Sequence, residues 1–428
     1  MSFTEALRFL DKHINREARA GYFDDLSLNS MESLMHLSGD PHTAFRSIHI
    51  TGTNGKGSTA TMVARLLAAT GLRVGRYSSP HLSSITERIE INGEPVDRDV
   101  FAEEVLALAA VAELSEYPAS YFELLTAAAY RIFAAEGVEV AVVEVGVLGR
   151  FDATNVIEAD VAVVTNIGTD HTDQQGDWRR KIAGEKVGIA KSTSTLVVGE
   201  ADPELLEIFE GEGAASMLLV ERDFELLSDQ SAVGGRLVDV NARHGRYEDV
   251  FVSVHGAHQA ANAALAIAAV EEFFDAEIPE DVVAEAFGEL QLPGRIEVVA
   301  KEPAIILDGA HNPEAARALR ATLETAFGAA APRVFVLATF EPREPADFIA
   351  EVGLGSGDYV VATPVNSPRS IDPARIAEAA TQTGAIAETA VDVDEALERA
   401  KVLAGVDGMV IVTGSLYAVG EARTLLVG

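Results

Sequence analysis

The sequence predicts an α/β protein built from two successive open sheets, the first mostly parallel with helices on both faces. Three observations carry that reading. Short β-rich runs alternate with helix-length segments over roughly the first 200 residues, and parallel strands need a crossover of about a dozen residues or more, usually a helix. The same alternation restarts after a Pro-Gly interruption at Leu292–Arg295. A glycine-rich turn also joins one early strand directly to a helix, as nucleotide-binding α/β folds do. The 428 residues correspond to two or three domains at roughly 150 residues each.

The elements follow in order. Strands are expected at Ser47–Ile50, Arg73–Ser78, Val140–Val145, Val161–Thr165 and Thr195–Val198, with helices near Lys56–Ala69, Arg98–Leu114, Phe122–Glu136 and Asp177–Ala190. Phe224–Val254 changes character: alternating residues flank Gly234-Gly235, the pattern of antiparallel hairpins. Two helices follow, Gln259–Phe274 and Glu280–Glu289. Leu292-Pro293-Gly294-Arg295 then breaks the helical pattern. Beyond it come Ala304–Leu307, a helix from Pro313, Val334–Ala338, Tyr359–Ala362 and Met409–Thr413. The expected domains are therefore 1–296 and 297–428.

Composition narrows the function classes. Apolar residues are 48% and charged residues 23% of the chain, ordinary globular values. No run of about 18 apolar residues occurs, so no membrane span is expected, and the acidic start MSFTEALRFLDKH does not read as a signal peptide. A cytoplasmic location is expected. The absence of cysteine excludes disulfides, a thiol nucleophile and a thiolate metal site. The formal net charge of −34 opposes nucleic acid binding, because no surplus cation is left to neutralise phosphates. Only seven of the 33 basic residues are lysine. A dense acidic surface poor in Lys suits a salt-rich cytoplasm, where screening removes self-repulsion; an acidic protein of ordinary habitat is the alternative.

The strongest chemical signal is Gly52-Thr53-Asn54-Gly55-Lys56-Gly57-Ser58-Thr59, after an apolar strand and at the start of a helix. Backbone N–H groups of such a turn wrap polyphosphate, and the helix N-terminus adds partial positive charge. Lys56 is placed to reach the outer phosphates, and Ser58 to reach Mg²⁺. The spacing departs from GxxxxGK[ST], because Gly57 separates Lys56 from Ser58. Three further strands end in Ser79, Glu144 and, after a few residues, His171. Ligands of open parallel sheets bind beyond the carboxyl ends of the strands, and this donor set suits a hard cation such as Mg²⁺. From spacing alone, Lys186 reads as a solvated helix lysine paired with glutamate. In the distal half, Asp308-Gly309-Ala310-His311-Asn312-Pro313 closes a strand and opens a helix with Asn312 as N-cap and Pro313 at N1. Thr413-Gly414-Ser415-Leu416-Tyr417 closes the last strand in the same way.

Together these residues resemble the folylpolyglutamate synthase/dihydrofolate synthase family of the Mur ligase superfamily. The resemblance runs from about residue 45 to 420. It rests on GTNGKGST, SPHL (Ser79–Leu82), ERIEING (Glu87–Gly93), FELLTAAAY (Phe122–Tyr130), EVGVLGRFDATN (Glu144–Asn155), TNIGTDHTD (Thr165–Asp173) and IAGEKVGI (Ile182–Ile189). It continues with HGAHQAANAALAI (His255–Ile267), LPGRIE (Leu292–Glu297), LDGAHNP (Leu307–Pro313) and TGSLYAVGE (Thr413–Glu421). The resemblance implies a Mur-ligase-like fold: a P-loop-type ATPase domain, then a smaller Rossmann-like domain, with the active site in the cleft between them. It implies a monomer that uses ATP to phosphorylate a pteroate or folate carboxylate, which the amine of L-glutamate then attacks.

By that resemblance Ser79, Glu144 and His171 fall on ligands of two Mg²⁺ ions, Lys56 on the phosphate-binding lysine, and Lys186 on a lysine carbamylated by CO₂. Asn262 matches an adenine contact, Arg295 a phosphate contact and Asp308 a nucleotide contact. His311 and Ser415 fall near the incoming glutamate. Phe122, Glu123, Leu124 and Leu125, with Phe151, Asp152 and Ala153, fall where the pterin substrate rests, although packing also accounts for Phe122 and Phe151.

Two departures stand out. Relatives commonly have Gly in place of Leu148, and a Lys-Asp-rich loop in place of Phe340-Glu341-Pro342-Arg343-Glu344. The first 44 residues match weakly. Two alternatives remain open from sequence: another Mur-type ligase, and a nucleotide-binding regulator without catalysis. SPHL and RFDATN favour the folate branch, and a mere binder has no need of Glu144, His171, Lys186, Asp308 and His311 together.

Overall fold

The computed structural model describes residues 2–15, 27–169, 176–328 and 330–428. The chain divides into two compact units. The first comprises Met1–Gln230, Leu237–Val252 and Gln259–Leu290; the second comprises Ser231–Arg236, Ser253–His258 and Gln291–Gly428.

In the first unit an eight-stranded sheet has the spatial order Glu94–Pro95, Ile89–Ile91, Val74–Tyr77, Val140–Glu144, Arg46–Thr51, Val161–Val164, Thr195–Val198, Ser216–Leu219. The two strands at the first edge pair antiparallel and the rest are parallel. Val140–Glu144 and Val161–Val164 are buried along their whole length, as near-continuous apolar runs inside a parallel sheet must be. Arg46–Thr51 lies between them, pairing Ile50 with both Glu144 and Val163. Chain connections diverge to the two sides of this strand, so its carboxyl end opens a crevice.

The helix Lys56–Ala69 buries Thr59, Met62, Val63, Leu66 and Leu67, the i, i+3, i+4, i+7 stripe of an amphipathic helix. Tyr121–Ala135 packs on the same sheet, and its fully buried Phe133 contributes about 1.5–3 kcal/mol of apolar burial. Gly75 makes room for it: a Cβ there would stand 2.7 Å from the Phe133 ring. The hairpin region forms a three-stranded sheet, with Gly235–Asn241 between Glu225–Ala232 and Arg246–Val252.

The second unit holds a six-stranded sheet in the order Glu297–Lys301, Ala304–Leu307, Met409–Thr413, Arg333–Leu337, Tyr359–Ala362, Ile386–Thr389. Only the first pair is antiparallel. The long continuous segment of this unit begins at Gln291, and the Pro-Gly turn is tied into its sheet. Gly309 N–H donates to the Gly294 carbonyl at 2.8 Å, and Ile296 N–H donates to Asp308 Oδ2 at 3.0 Å. No helix among the described residues is long and apolar enough to cross a membrane.

Candidate active site

The phosphate loop takes its shape from two neighbouring segments of the first unit. Asn54 N–H donates to Asn166 Oδ1 at 2.9 Å, while Asn166 Nδ2 and Thr165 Oγ1 donate to the Asn54 carbonyl at 3.0 and 2.6 Å. Thr53 N–H bonds the Asn166 carbonyl at 3.0 Å, and Gly168 N–H returns a bond to Thr53 Oγ1 at 2.9 Å. Gly55, the N-cap of Lys56–Ala69, has φ +83° and supplies no side-chain cap. It must be glycine on two counts, because a Cβ there would also stand 2.6 Å from Asn262 Oδ1. The first N–H groups of this helix consequently have no capping side chain and face whatever occupies the loop.

Two lysines converge on one carbonyl. Lys56 Nζ donates to Gly52 O at 3.0 Å and Thr53 O at 3.2 Å, and Lys186 Nζ donates to Gly52 O at 2.7 Å. Lys186 is only 3% exposed, so the solvated helix lysine suggested by its spacing is corrected. The inward face of Trp178–Val187 carries Ile182, Ala183, Lys186 and Val187, and the docking of residues 149–155 explains why. Arg150 N–H bonds the Glu185 carbonyl at 2.8 Å, Asn155 Nδ2 bonds the Gly188 carbonyl at 3.0 Å, and a Cβ on Gly149 would lie 2.8 Å from the Glu185 and Lys186 carbonyls. Glu185 stands near Arg150, whose guanidinium forks onto Glu212 at 2.9 and 2.6 Å.

Glu144, 5% exposed, ends its strand beside the loop, with Ser79 N–H 3.3 Å from its Oε2. A Cβ on Gly57 would be 3.4 Å from the same oxygen, so glycine keeps the helix start open toward the carboxylate. The oxygen donors of Ser79 and Glu144 fit a hard divalent cation; an ammonium at Lys186 does not ligate one, whereas a carbamate there does. His171 lies outside the described residues. Among those described, no group of three or more His, Cys, Asp or Glu gathers as a metal cluster.

The expected pterin-side residues separate. Leu124 and Leu125 are fully buried in the core around Tyr130 and Phe133, which gives them a packing role and leaves no surface for a ligand. Glu123 closes a capping box, accepting from Ser120 N–H at 2.6 Å. Phe122 keeps partial exposure and covers Gly146, where a Cβ would stand 2.5 Å from its ring. Phe151 is 42% exposed, whereas Ala153 and Asp152 are buried. Asp152 accepts from Val147 N–H at 2.8 Å, Thr154 N–H at 3.0 Å and Thr154 Oγ1 at 2.5 Å. Burial raises its carboxyl pKa, and these bonds oppose the rise. Leu148 has φ +62°, a conformation costing about 1–2 kcal/mol for a residue with a Cβ. Thr51 Oγ1, donating to the Leu148 carbonyl at 2.5 Å, holds it there.

In the second unit Asp308 is buried and its oxygens accept from Ile296 and Ala310 N–H, both at 3.0 Å. Burial raises its pKa and the Arg295 guanidinium opposes this. Ile296 has φ +50°, a strained position for a β-branched residue, so Asp308 pins the turn that carries Arg295. His311 Nδ1 sits 2.8 Å from the Gly309 carbonyl. The Ser415 hydroxyl is buried and accepts from Tyr417 N–H at 3.1 Å as the N-cap of Leu416–Leu426. The two distal motifs meet, Gly414 N–H donating to the Ala310 carbonyl at 2.9 Å. Phe340, from the divergent stretch, packs edge-on against Tyr417 with ring centroids 5.3 Å apart.

Comparison with known proteins matches residues 50–270 to the Mur ligase middle domain and residues 294–416 to the Mur ligase glutamate ligase domain. The dihydrofolate synthase/folylpolyglutamate synthase of Mycobacterium tuberculosis is 38% identical, the match covering 94% of this chain and 90% of that one. The chain belongs to the folylpolyglutamate synthase/dihydrofolate synthase family of Mur ligases. A solved folylpolyglutamate synthase of M. tuberculosis complexed with ADP superposes with TM-score 0.91 at 35% identity, covering 99% of this chain and 98% of that one. A solved bifunctional member of the family, with Mn, AMPPNP and L-glutamate bound, gives TM-score 0.87 at 28% identity over 100% and 98% of the two chains.

Within this family fold, several residues that shape the site were not singled out by sequence reasoning. Thr165 and Asn166 clamp the phosphate loop; polar residues directly after the apolar strand Val161–Val164 were the available signal. Thr51, His49 and Thr154 bind the loop at 146–155 to the phosphate-loop strand. A histidine set between Ile48 and Ile50 was their one sequence mark.

Proposed function

We propose that the protein is an ATP-dependent ligase that joins L-glutamate to the carboxylate of dihydropteroate, a reduced folate or both. The observation that carries this reading is the convergence of Lys56 and Lys186 on the Gly52 carbonyl, beside Glu144 and the uncapped helix start. A carboxylate is a poor electrophile, and its activation by phosphoryl transfer depends on positioning and charge neutralisation. The loop amides and Lys56 hold the polyphosphate, and Asn262 sits where the base approaches Gly55. The γ-phosphoryl group passes to the substrate carboxylate, releasing ADP. The glutamate amine then attacks the acyl phosphate, and inorganic phosphate leaves from the tetrahedral intermediate. Arg295, Asp308 and His311 of the second unit serve the later steps: Arg295 offers charge to phosphate, Asp308 holds its turn, and His311 and Ser415 stand by the amino acid.

Ser79 and Glu144 would hold a divalent cation, which when bound neutralises phosphate charge, and Lys186 would join them as a carbamate. Lys186 would first lose a proton to become the neutral amine, and CO₂ would then add to Nζ with release of a second proton, so that a cation becomes an anionic carbamate. Lys186→Ala should then be nearly inactive and partly restored by short-chain carboxylic acids filling the vacated anion position. An unmodified ammonium in a high-resolution, metal-loaded crystal structure overturns the carbamate. We read the protein as a cytoplasmic monomer, in keeping with its acidic, cysteine-free sequence.

The test is phosphate release by purified protein in high KCl with ATP, Mg²⁺ and glutamate, using dihydropteroate and tetrahydrofolate in parallel. Glutamate-dependent release with at least one pterin is expected. Nucleotide binding without such release would move the protein to another Mur-type substrate or to a regulatory role.

A further inference from the structure

The strand Arg46–Thr51 feeds the phosphate loop, and its alternation places His49 and Thr51 on one face. Both spend their side-chain hydrogen bonds on the same loop, Thr51 on the Leu148 carbonyl at 2.5 Å and His49 Nε2 on Thr154 Oγ1 at 2.8 Å. The proton positions follow from elimination. Asp152 takes bonds from Val147 N–H, Thr154 N–H and the Thr154 hydroxyl, three donors aimed at one carboxylate, so it accepts and does not donate. The single hydroxyl hydrogen of Thr154 goes to Asp152 Oδ1. Its oxygen is therefore an acceptor toward His49, and Nε2 of His49 must carry the hydrogen. Tyr130 Oη fixes the same residue from the other side, donating to the Thr154 carbonyl at 2.9 Å.

His49 is a poor choice for stability alone. It is fully buried, and its Nδ1 has no hydrogen-bond partner among the described residues, a desolvation penalty that an apolar residue avoids. Its strand neighbours Ile48 and Ile50 are aliphatic and equally buried. Burial also lowers the His49 pKa to about 3, with Lys191 adding to the effect, so the ring stays neutral and keeps one tautomer across physiological pH.

We propose that His49 is a positioning residue for the pterin side of the site: through Thr154 it orients Asp152 and the adjoining Phe151, locking the pterin-side loop in register with the strand that ends in the phosphate loop. This rests on the ligase function proposed above and on the expectation that the pterin rests by Phe122 and Phe151. The chain of contacts is His49, Thr154, Asp152, and it parallels the Thr51 to Leu148 bond one strand period further on.

The test uses the full-length protein. His49→Val removes the N–H donor but suits a buried strand. It should raise KM for the pterin substrate about tenfold, the equivalent of one lost ordering interaction, with KM for ATP within about twofold and thermal stability undiminished. His49→Gln keeps an N–H donor and should restore most of the pterin KM. Thr154→Val breaks the link from its other end, and the double variant should be no worse than either single one. Equal changes in both KM values, an unaltered pterin KM, or full additivity of the two substitutions overturns the proposal. A second readout holds even if wild-type protein turns over no pterin, which would defeat the functional reading instead. The ring ¹⁵N shifts of His49 should report the neutral Nε2–H tautomer from about pH 5 to 8, and an Nδ1–H tautomer or an imidazolium there overturns the assignment.

Discussion

Two turns of this molecule look alike in sequence and behave oppositely. Gly52–Gly55 and Gly309–Asn312 each leave the end of a buried parallel strand and open a helix. At the first, the N-cap is Gly55 and no side chain caps the helix. At the second, Asn312 accepts from Ala315 N–H at 2.9 Å, and the neighbouring Leu416–Leu426 is capped by Ser415. A helix start satisfied by its own cap has less to offer an anion, whereas an uncapped one keeps its N–H groups and partial positive charge for a ligand. The first turn therefore offers backbone N–H groups to an anion and is clamped from outside by Thr165 and Asn166. The second contributes side chains, with Arg295 and His311 held by a self-sufficient frame.

The largest effect expected from this contrast is at Lys56. Lys186 shares the Gly52 carbonyl with it, but as a carbamate Lys186 supplies no cation to replace it. Lys56→Ala should lower turnover by a factor on the order of 10² or more through lost charge stabilisation, measured as steady-state phosphate release by a folded variant. Near-normal turnover would remove the first turn from the mechanism.

At the second turn the expected effect is on stability instead. Asn312→Ala should cost about 1 kcal/mol, read as a lower urea midpoint, with KM for ATP unchanged. A rise in that KM without loss of stability would show that the two turns are not as different as their caps.

The smallest effect concerns His258, which lies in the second unit. Its pKa is lowered to about 4, first by desolvation and then by Arg295 and Arg236. An unfolded histidine titrates near the ordinary value of 6.5, so between about pH 4 and 6.5 the unfolded chain binds more protons. Stability from this group is complete above that window and is lost as pH falls through it. In His258→Gln the difference in urea midpoint between about pH 7 and 4.5 should shrink; an undiminished difference sinks the assignment.

How much could be read in advance varied with the distance over which each feature is decided. The main parallel strands and the phosphate loop were legible because apolar periodicity and turn chemistry act over a few residues. Asn312 and Pro313 were legible as a cap for the same reason. The edge strands Glu297–Lys301 and Ile386–Thr389 were not, since each is half exposed and lacks the apolar run that marks the interior strands. Leu124 and Leu125 stand beside Phe122 in the sequence, yet periodicity on Tyr121–Ala135 turns them fully into the core while Phe122 stays partly exposed.

By itself the sequence determined the local chemistry of this protein: glycines where φ is positive beside a ligand loop, a lysine at the helix start, acids and hydroxyls at strand ends, and a strongly negative net charge. Tertiary structure alone decided the partners. Lys186 became a buried contact of Gly52 across 134 residues of chain, His49 a support for Thr154 across 105, and Asn166 the clamp on Asn54 across 112. Such pairings are set by which strands lie side by side and by which helix face meets the sheet. Neither is encoded within a window of a few residues, because register and packing are solved by the whole chain at once.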